Sequence, residues 1–168
     1  MAMIDHALAY AERGWHVFPI HSVGEGCSCN NNACEDQGKH PRTPHGLLDA
    51  TTEADIIRDW WSQCPDANIG VRTGKISGIV VLDIDAKSGG LESWRDLQDF
   101  NGRVDTLTSQ TGGGGLHLFF EAPEVELKST SGQMAPGIDT KAEGGYVVMP
   151  PSLHISGRRY RWEDEDDE

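Results

Sequence analysis

Gly78-Ile79-Val80-Val81-Leu82-Asp83-Ile84-Asp85 is the stretch on which the reading of the chain turns. Aliphatic and β-branched residues fill it until two aspartates arrive, one residue apart. Such residues suit a pleated strand. Side chains alternate along a strand, so Asp83 and Asp85 are expected on one face. Two carboxylates side by side at the end of a buried strand repel each other unless a positive charge lies between them. Magnesium and manganese are hard cations that take oxygen ligands, and they meet that need. Standing alone, an Asp-x-Asp pair reads as a solvated pair where a strand enters its loop. The surrounding sequence changes that reading.

Outward from this strand, residues 68–72 form a second short strand. Thr73-Gly74 leads from it into the Gly78 stretch, so the two are expected to make a hairpin. On the other side, residues 86–90 read as a turn and residues 91–100 as a helix, with Leu91, Trp94, Leu97 and Phe100 as its core face. Residues 106–109 and 116–120 are strands, separated by Thr111-Gly112-Gly113-Gly114-Gly115. Consecutive glycines let backbone approach a ligand closely and leave N–H groups to meet phosphate. No lysine of the Walker type follows, so this is not a P-loop. His117 alternates with Leu116 and Leu118 and faces away from them. Asp139 is a third carboxylate on a short strand and shares a face with Lys141. Residues 146–149 are a buried-type strand closed by Pro150-Pro151-Ser152, and residues 158–162 are expected to pair with it.

Toward the N-terminus, residues 4–13 read as a helix stopped by Gly14, and residues 15–20 as a strand. A further helix opens near Thr51 or Thr52, either of which can cap it, and ends before Pro65. Ile56, Ile57, Trp60 and Trp61 form its apolar face, and Cys64 reads as a buried small hydrophobe. Residues 21–44 break the pattern. They are polar, rich in glycine and asparagine, and show neither period. Cys27, Cys29, Cys34 and His40 lie within them, a tetrahedral donor set for one structural zinc. His21 and His45 are rivals to His40. A loop of this length needs such ordering energy, which a metal supplies.

The chain has 168 residues, enough for one domain with its own core. No apolar run reaches membrane-spanning length and no signal-peptide core precedes the first helix, so a soluble intracellular protein is expected. Net charge is −13, and the last six residues are all acidic. Removing them leaves 21 acids against 14 bases, a net of −7. A broad basic nucleic-acid surface is therefore excluded. Arg42, Arg72, Lys75, Lys87 and Lys141 are too few for strongly salt-dependent binding.

With these residues laid out, the chain resembles the N-terminal primase/polymerase domain of bifunctional phage and plasmid DNA primases, in the archaeo-eukaryotic primase superfamily. The likeness spans residues 7–151. It is carried by Lys39-His40-Pro41, Asn68-Ile69-Gly70, Thr73-Gly74, Val81 to Asp85, Gly113 to Phe120, Ile138-Asp139, and Gly144 to Val148 with Pro150-Pro151-Ser152. The resemblance implies an α+β primase fold with an RRM-like sheet over residues 1–162 and a zinc-binding segment inserted at about 21–44. Residues 163–168 are an acidic tail leading toward further domains. By the same likeness, Asp83, Asp85 and Asp139 hold two magnesium or manganese ions. Gly113, Gly114, Gly115, His117 and Lys141 bind the nucleotide. Where the family has a small hydroxyl residue two before the histidine, this chain has Gly115, so a backbone N–H, Thr111 or Ser109 must substitute. The implied partners are a single-stranded DNA template, nucleoside triphosphates and a fused or associated helicase, in a cytoplasmic setting (the host cell's, if phage-encoded). Membrane is not among them.

Two other functions fit parts of the pattern. A metal-dependent nuclease or phosphohydrolase would also use three aspartates and a histidine, although the glycine turn suits a triphosphate better. A non-catalytic, zinc-stapled DNA-binding module would need exposed aromatics and a basic sheet surface, and here the candidate face carries acids.

Overall fold

The computed structural model describes residues 1–164, so most of the expected acidic tail lies outside the described residues. The helices are α1 (Met3–Glu12), α2 (Ala54–Gln63) and α3 (Gly90–Asn101). The strands are β1 (Val17–Ile20), β2 (Asn68–Arg72), β3 (Ile79–Ile84), β4 (Thr108–Gln110), β5 (Leu116–Glu121), β6 (Thr130–Ala135), β7 (Ile138–Lys141), β8 (Tyr146–Met149) and β9 (Arg161–Trp162). The result is a mixed α and β protein whose strands pair antiparallel in two sheets, ordered β1-β2-β8 and β6-β7-β3-β5-β4-β9.

The main core joins the two sheets. Ala7, Tyr10 and Ala11 of α1 and Ile57 and Trp61 of α2 pack with Val17, Ile69 and Val71 of the small sheet and Val81 and Phe119 of the large one. Trp15 stacks on Phe119 with ring centroids 5.8 Å apart. The opposite face of β3, β5 and β7 carries Ile84, Leu118 and Ile138 beneath Trp94 and Leu97 of α3. Burial of that many aliphatic and aromatic side chains, at about 1.5–3 kcal/mol each, is what fixes both sheets.

Four expectations change. The β2 and β3 strands are not a hairpin. Gly74 and Ile79 exchange backbone hydrogen bonds across the turn, but then β2 pairs with β1 and β8, whereas β3 pairs with β5 and β7. Both edges of each strand are taken, so a tight connection does not make them neighbours. The last strand pairs with β4 and not with β8; the segment leading into it forms an isolated bridge, Arg159 with Leu153. Thr51 does not cap α2: it bridges Val17, and the helix starts after Glu53 with no side-chain cap. On the helices, Ile56, Leu91 and Phe100 are exposed, which narrows the apolar faces to Ile57, Trp60 and Trp61 and to Trp94 with Leu97.

Candidate functional site

The large sheet presents one face that changes character along its length. Ile79 and Val81 on β3 belong to the core, and the next residue on that face is Asp83. In register, Asp83 stands opposite His117 on β5 and opposite Asp139 on β7. Cross-strand neighbours of this kind lie about 4.5–5.5 Å apart at Cβ. The backbone ladder therefore gathers residues that are 34 and 56 positions from Asp83 in the chain. Lys141, two residues beyond Asp139, completes the face. These side chains line a cavity of about 540 Å³ whose other wall includes Tyr146, His154 and Tyr160.

The charges are balanced within the face. Lys141 Nζ lies 3.2 Å from Asp139 Oδ2 and 3.8 Å from Asp83 Oδ2. His117 Nε2 lies 3.5 Å from Asp83 Oδ1. Burial pushes Asp83 upward, but the His117 ring and the positive charges of Lys141 and Lys39 outweigh it and hold the carboxyl below its usual range. Asp139 Oδ1 accepts from Ser131 Oγ at 2.8 Å and from Gly132 N at 3.0 Å, which orients its other oxygen toward Lys141. His117 is buried, and among the described residues its Nδ1 has no hydrogen-bond partner. Ser109, its register partner on β4, is buried with an equally unpaired Oγ. A buried orphan polar atom costs on the order of 1–3 kcal/mol. Such atoms mark places where a polar partner belongs.

Asp85 departs from the simple alternation. The strand ends at Ile84, and Asp85 begins a short 3-10 turn. Its Oδ1 accepts from Lys87 N and its Oδ2 from Ser88 Oγ. It lines the same cavity as Asp83 but is held as a cap. Among the described residues, the carboxylates of Asp83, Asp85 and Asp139 do not form a group with ligand atoms all within 4.8 Å of one another.

The glycine run divides its work. A Cβ on Gly115 would lie 2.0 Å from the Ile84 carbonyl oxygen, so this residue permits the end of β3 to touch the start of β5. A Cβ on Gly112 would lie 2.1 Å from His154 Cβ, so Gly112 makes room for that imidazole. Gly113 and Gly115 line the carboxylate cavity, whereas Gly114 lines a neighbouring one beside Arg158. Thr111 Oγ1 accepts from Gly115 N at 2.9 Å and closes the turn. Of the two expected hydroxyl substitutes, Ser109 is therefore the one aligned with His117.

Cys27, Cys29, Cys34 and His40 come together with all four ligand atoms within 4.8 Å of one another. Cys27 Sγ and Cys34 Sγ lie 3.3 and 3.5 Å from His40 Nε2. Tetrahedral bonds of about 2.0–2.3 Å place ligand atoms roughly 3.5–3.8 Å apart, so the set fits zinc. Burial raises the Cys27 thiol, but N–H groups of Cys29 and Gly38, with His40 and Cys29, bring it down to about 6. Burial and the neighbouring thiols push Cys34 up to about 11. One thiolate is thus favoured and the next opposed, unless a dication neutralises them. The rivals are otherwise engaged. His21 Nδ1 meets Ser28 Oγ at 2.8 Å and its ring stacks on His40, while His45 pairs with Asp49.

Several cavity residues lie outside the expected site set: Asp36, Lys87, Tyr146, His154 and Tyr160, together with Lys39, which flanks His40 and could meet a phosphate. Lys39 reaches the cavity because Tyr146 Oη donates to its carbonyl at 2.8 Å. His154 Nδ1 accepts from Ser156 N at 3.1 Å. Burial and then Lys39, Lys87 and Arg158 lower the pKa of His154. Burial and Asp83 raise that of Tyr160. The Pro150-Pro151-Ser152 stretch was visible, but nothing local says that a histidine two residues on folds back over the glycine turn.

Comparison with protein families gives one assignment. The family described as bifunctional DNA primase/polymerase, N-terminal (Prim-Pol) matches residues 7–168, and the chain belongs to it. No curated protein sequence matches the chain. Family membership carries the coarse activity, that of a DNA primase/polymerase nucleotidyltransferase that depends on metal ions. Among the described residues no helix is long and apolar enough to cross a membrane.

Proposed function

We propose that this Prim-Pol domain makes primers on single-stranded DNA by template-directed nucleotidyl transfer, with residues 1–162 as one catalytic unit of the archaeo-eukaryotic primase type. The observation that carries the reading is the register of Asp83 against both His117 and Asp139 on one cavity wall. Asp83, Asp85 and Asp139 would hold two divalent ions, magnesium or manganese. Their donor set fits: the oxygens are hard, and those of Asp83 are engaged only at 3.5 and 3.8 Å. When bound, such ions supply the charge that activates a primer 3′-hydroxyl and steadies the leaving pyrophosphate.

The chain's own groups do the rest. The His117 ring and the Lys141 ammonium place donors and positive charge where phosphate oxygens would lie. The Gly113 backbone lines the same cavity with no side chain in the way. Asp139 is locked by Ser131 and Gly132, so its orientation need not be found during reaction. The Cys27–His40 zinc would order residues 21–44 and hold Lys39 at the cavity mouth. A fused or associated helicase is the protein partner in this reading.

Incubation with varied single-stranded templates, labelled ribo- or deoxynucleotides, and magnesium or manganese tests this. Products grown from nucleotides alone and dependent on template are expected. Template degradation without synthesis would establish a nuclease instead.

A further inference from the structure

One cavity shares wall residues with the carboxylate cavity, and a third meets that neighbour in turn. One, of about 550 Å³, is lined by Gln110, Gly114, Arg158, Arg159 and Arg161, and it shares Thr111 and Gly115 with the carboxylate cavity. The other, of about 770 Å³, runs along the zinc segment past Cys27, Ser28 and Asn31, and it shares Arg159 with the arginine cavity. The three cavities thus lie in series: Arg159 stands between the zinc-segment and arginine cavities, and the Thr111–Gly115 turn between the arginines and the Asp83 cavity.

Those arginines are unusual in this chain, which has 14 basic residues against 27 acidic ones. Three of the 14 stand within four positions. All three are exposed. Arg159 Nη1 donates to the Pro151 carbonyl at 2.8 Å, and Arg161 Nε to Gln110 Oε1 at 3.0 Å. Arg158 lies over the glycine turn, where a Cβ on Gly114 would sit 3.5 Å from its Nη2. Among the described residues no carboxylate lies within 4.0 Å of Arg158 or Arg159. Planar guanidinium groups match phosphate oxygens two at a time. Gly114 faces the arginines while Gly113 faces the carboxylates. The turn thus separates this patch from the place a single nucleotide would occupy.

We propose that the Arg158–Arg159–Arg161 edge is a track for the sugar–phosphate backbone of single-stranded DNA, guiding it from the zinc segment to the carboxylate cavity. Its direction rests on the nucleotidyl-transfer reading, but its binding role does not. Three phosphate contacts on a single strand predict a slope of about −2 in log affinity against log salt. That agrees with an acidic protein that binds DNA weakly and locally.

The test is fluorescence anisotropy of labelled oligothymidylate with the full chain, titrated between about 50 and 200 mM salt. Arg158→Gln and Arg159→Gln should each weaken binding severalfold and reduce the slope by about 0.7. The triple glutamine variant should lose nearly all salt dependence. The nucleotide KM, measured on saturating primed template, should stay within about twofold, since a nucleotide's contacts lie across the turn. Among the described residues the Arg158 side chain makes no hydrogen bond, so Arg158→Gln decides the matter should Arg159→Gln destabilise the fold. Wild-type affinity and slope in the triple variant would overturn the track. So would equal competition by polyglutamate, which marks a general anion surface, or a raised nucleotide KM with unchanged DNA binding. If no template supports synthesis but the arginine dependence persists, the catalytic reading fails and the track stands. If synthesis and DNA affinity are both intact in the triple variant, the track fails and the catalytic reading stands.

Discussion

The Cys27–His40 segment and the Asp83 face are both candidate metal sites, and they are built in opposite ways. The first draws four ligands from fourteen consecutive positions of a chain with little regular structure of its own. Its ligands are local, and the backbone between them is ordered by turns and by whatever the ligands hold. The second draws three residues from three strands, and the ladder brings them into line with or without an ion. A loop site depends on its metal for its shape. A sheet site depends on its metal only for its chemistry. Removing charge or metal should therefore produce different failures in the two regions, and four experiments press on that difference.

The largest effect is expected at the sheet. Asp83→Asn should abolish primer synthesis and extension together, by roughly a thousandfold or more in rate, which is about 4 kcal/mol of transition-state stabilisation. Its thermal melt without divalent ions should be close to wild type, because the ladder and core persist. Asp85→Asn tests the cap separately, since asparagine also caps well. Near wild-type synthesis in both variants, measured with a manganese titration, would remove the carboxylate assignment.

Zinc removal comes next. Elemental analysis should give one zinc per chain in protein purified without chelator. Chelation should speed amide exchange across residues 21–44 and leave β3, β5 and β7 protected. Uniform loosening of the whole chain would erase the contrast between the regions.

A smaller effect is expected at His117. His117→Ala should weaken nucleotide binding about tenfold, the scale of one charge-assisted hydrogen bond, and leave manganese affinity little changed. A loss confined to metal binding, read by isothermal titration, would reassign the ring to the carboxylates.

The smallest concerns His154, where burial and the charges of Lys39, Lys87 and Arg158 depress the pKa. The unfolded chain takes up this proton at higher pH than the folded one. The stability it contributes is thus full above the ordinary histidine range and is lost as pH falls through it. His154→Gln should flatten the pH dependence of urea unfolding between neutral and mildly acidic conditions. An unchanged profile would show that the imidazole is not held neutral by the fold.

Much of both sites was legible from residue chemistry and spacing. Cys27, Cys29, Cys34 and His40 were readable because zinc chooses donor types and the ligands are close in the chain. Asp83, His117, Asp139 and Lys141 were readable because a period of two assigns each to a strand face. The hairpin of β2 with β3 and the pairing of the last strand with β8 were misread for one reason. Adjacency in sequence suggested pairing, but pairing depends on which strand edges are still open. Asp85 lines the same cavity as Asp83, but its hold as a cap was not legible, because alternation applies only while the strand lasts.

The amino-acid order alone determined the donor sets, the strands that carry them and the faces those donors occupy, since these follow from local geometry and side-chain chemistry. Only the tertiary structure decided that β3 lies between β5 and β7, so that Asp83 meets His117 on one side and Asp139 on the other. It alone brought Lys39, His154 and Tyr160 to the opposite wall and left Arg158, Arg159 and Arg161 on a shared edge. The reason is that lateral neighbours across a sheet, and loops folded over it, are chosen by burial of the whole core. No short window of sequence contains that choice.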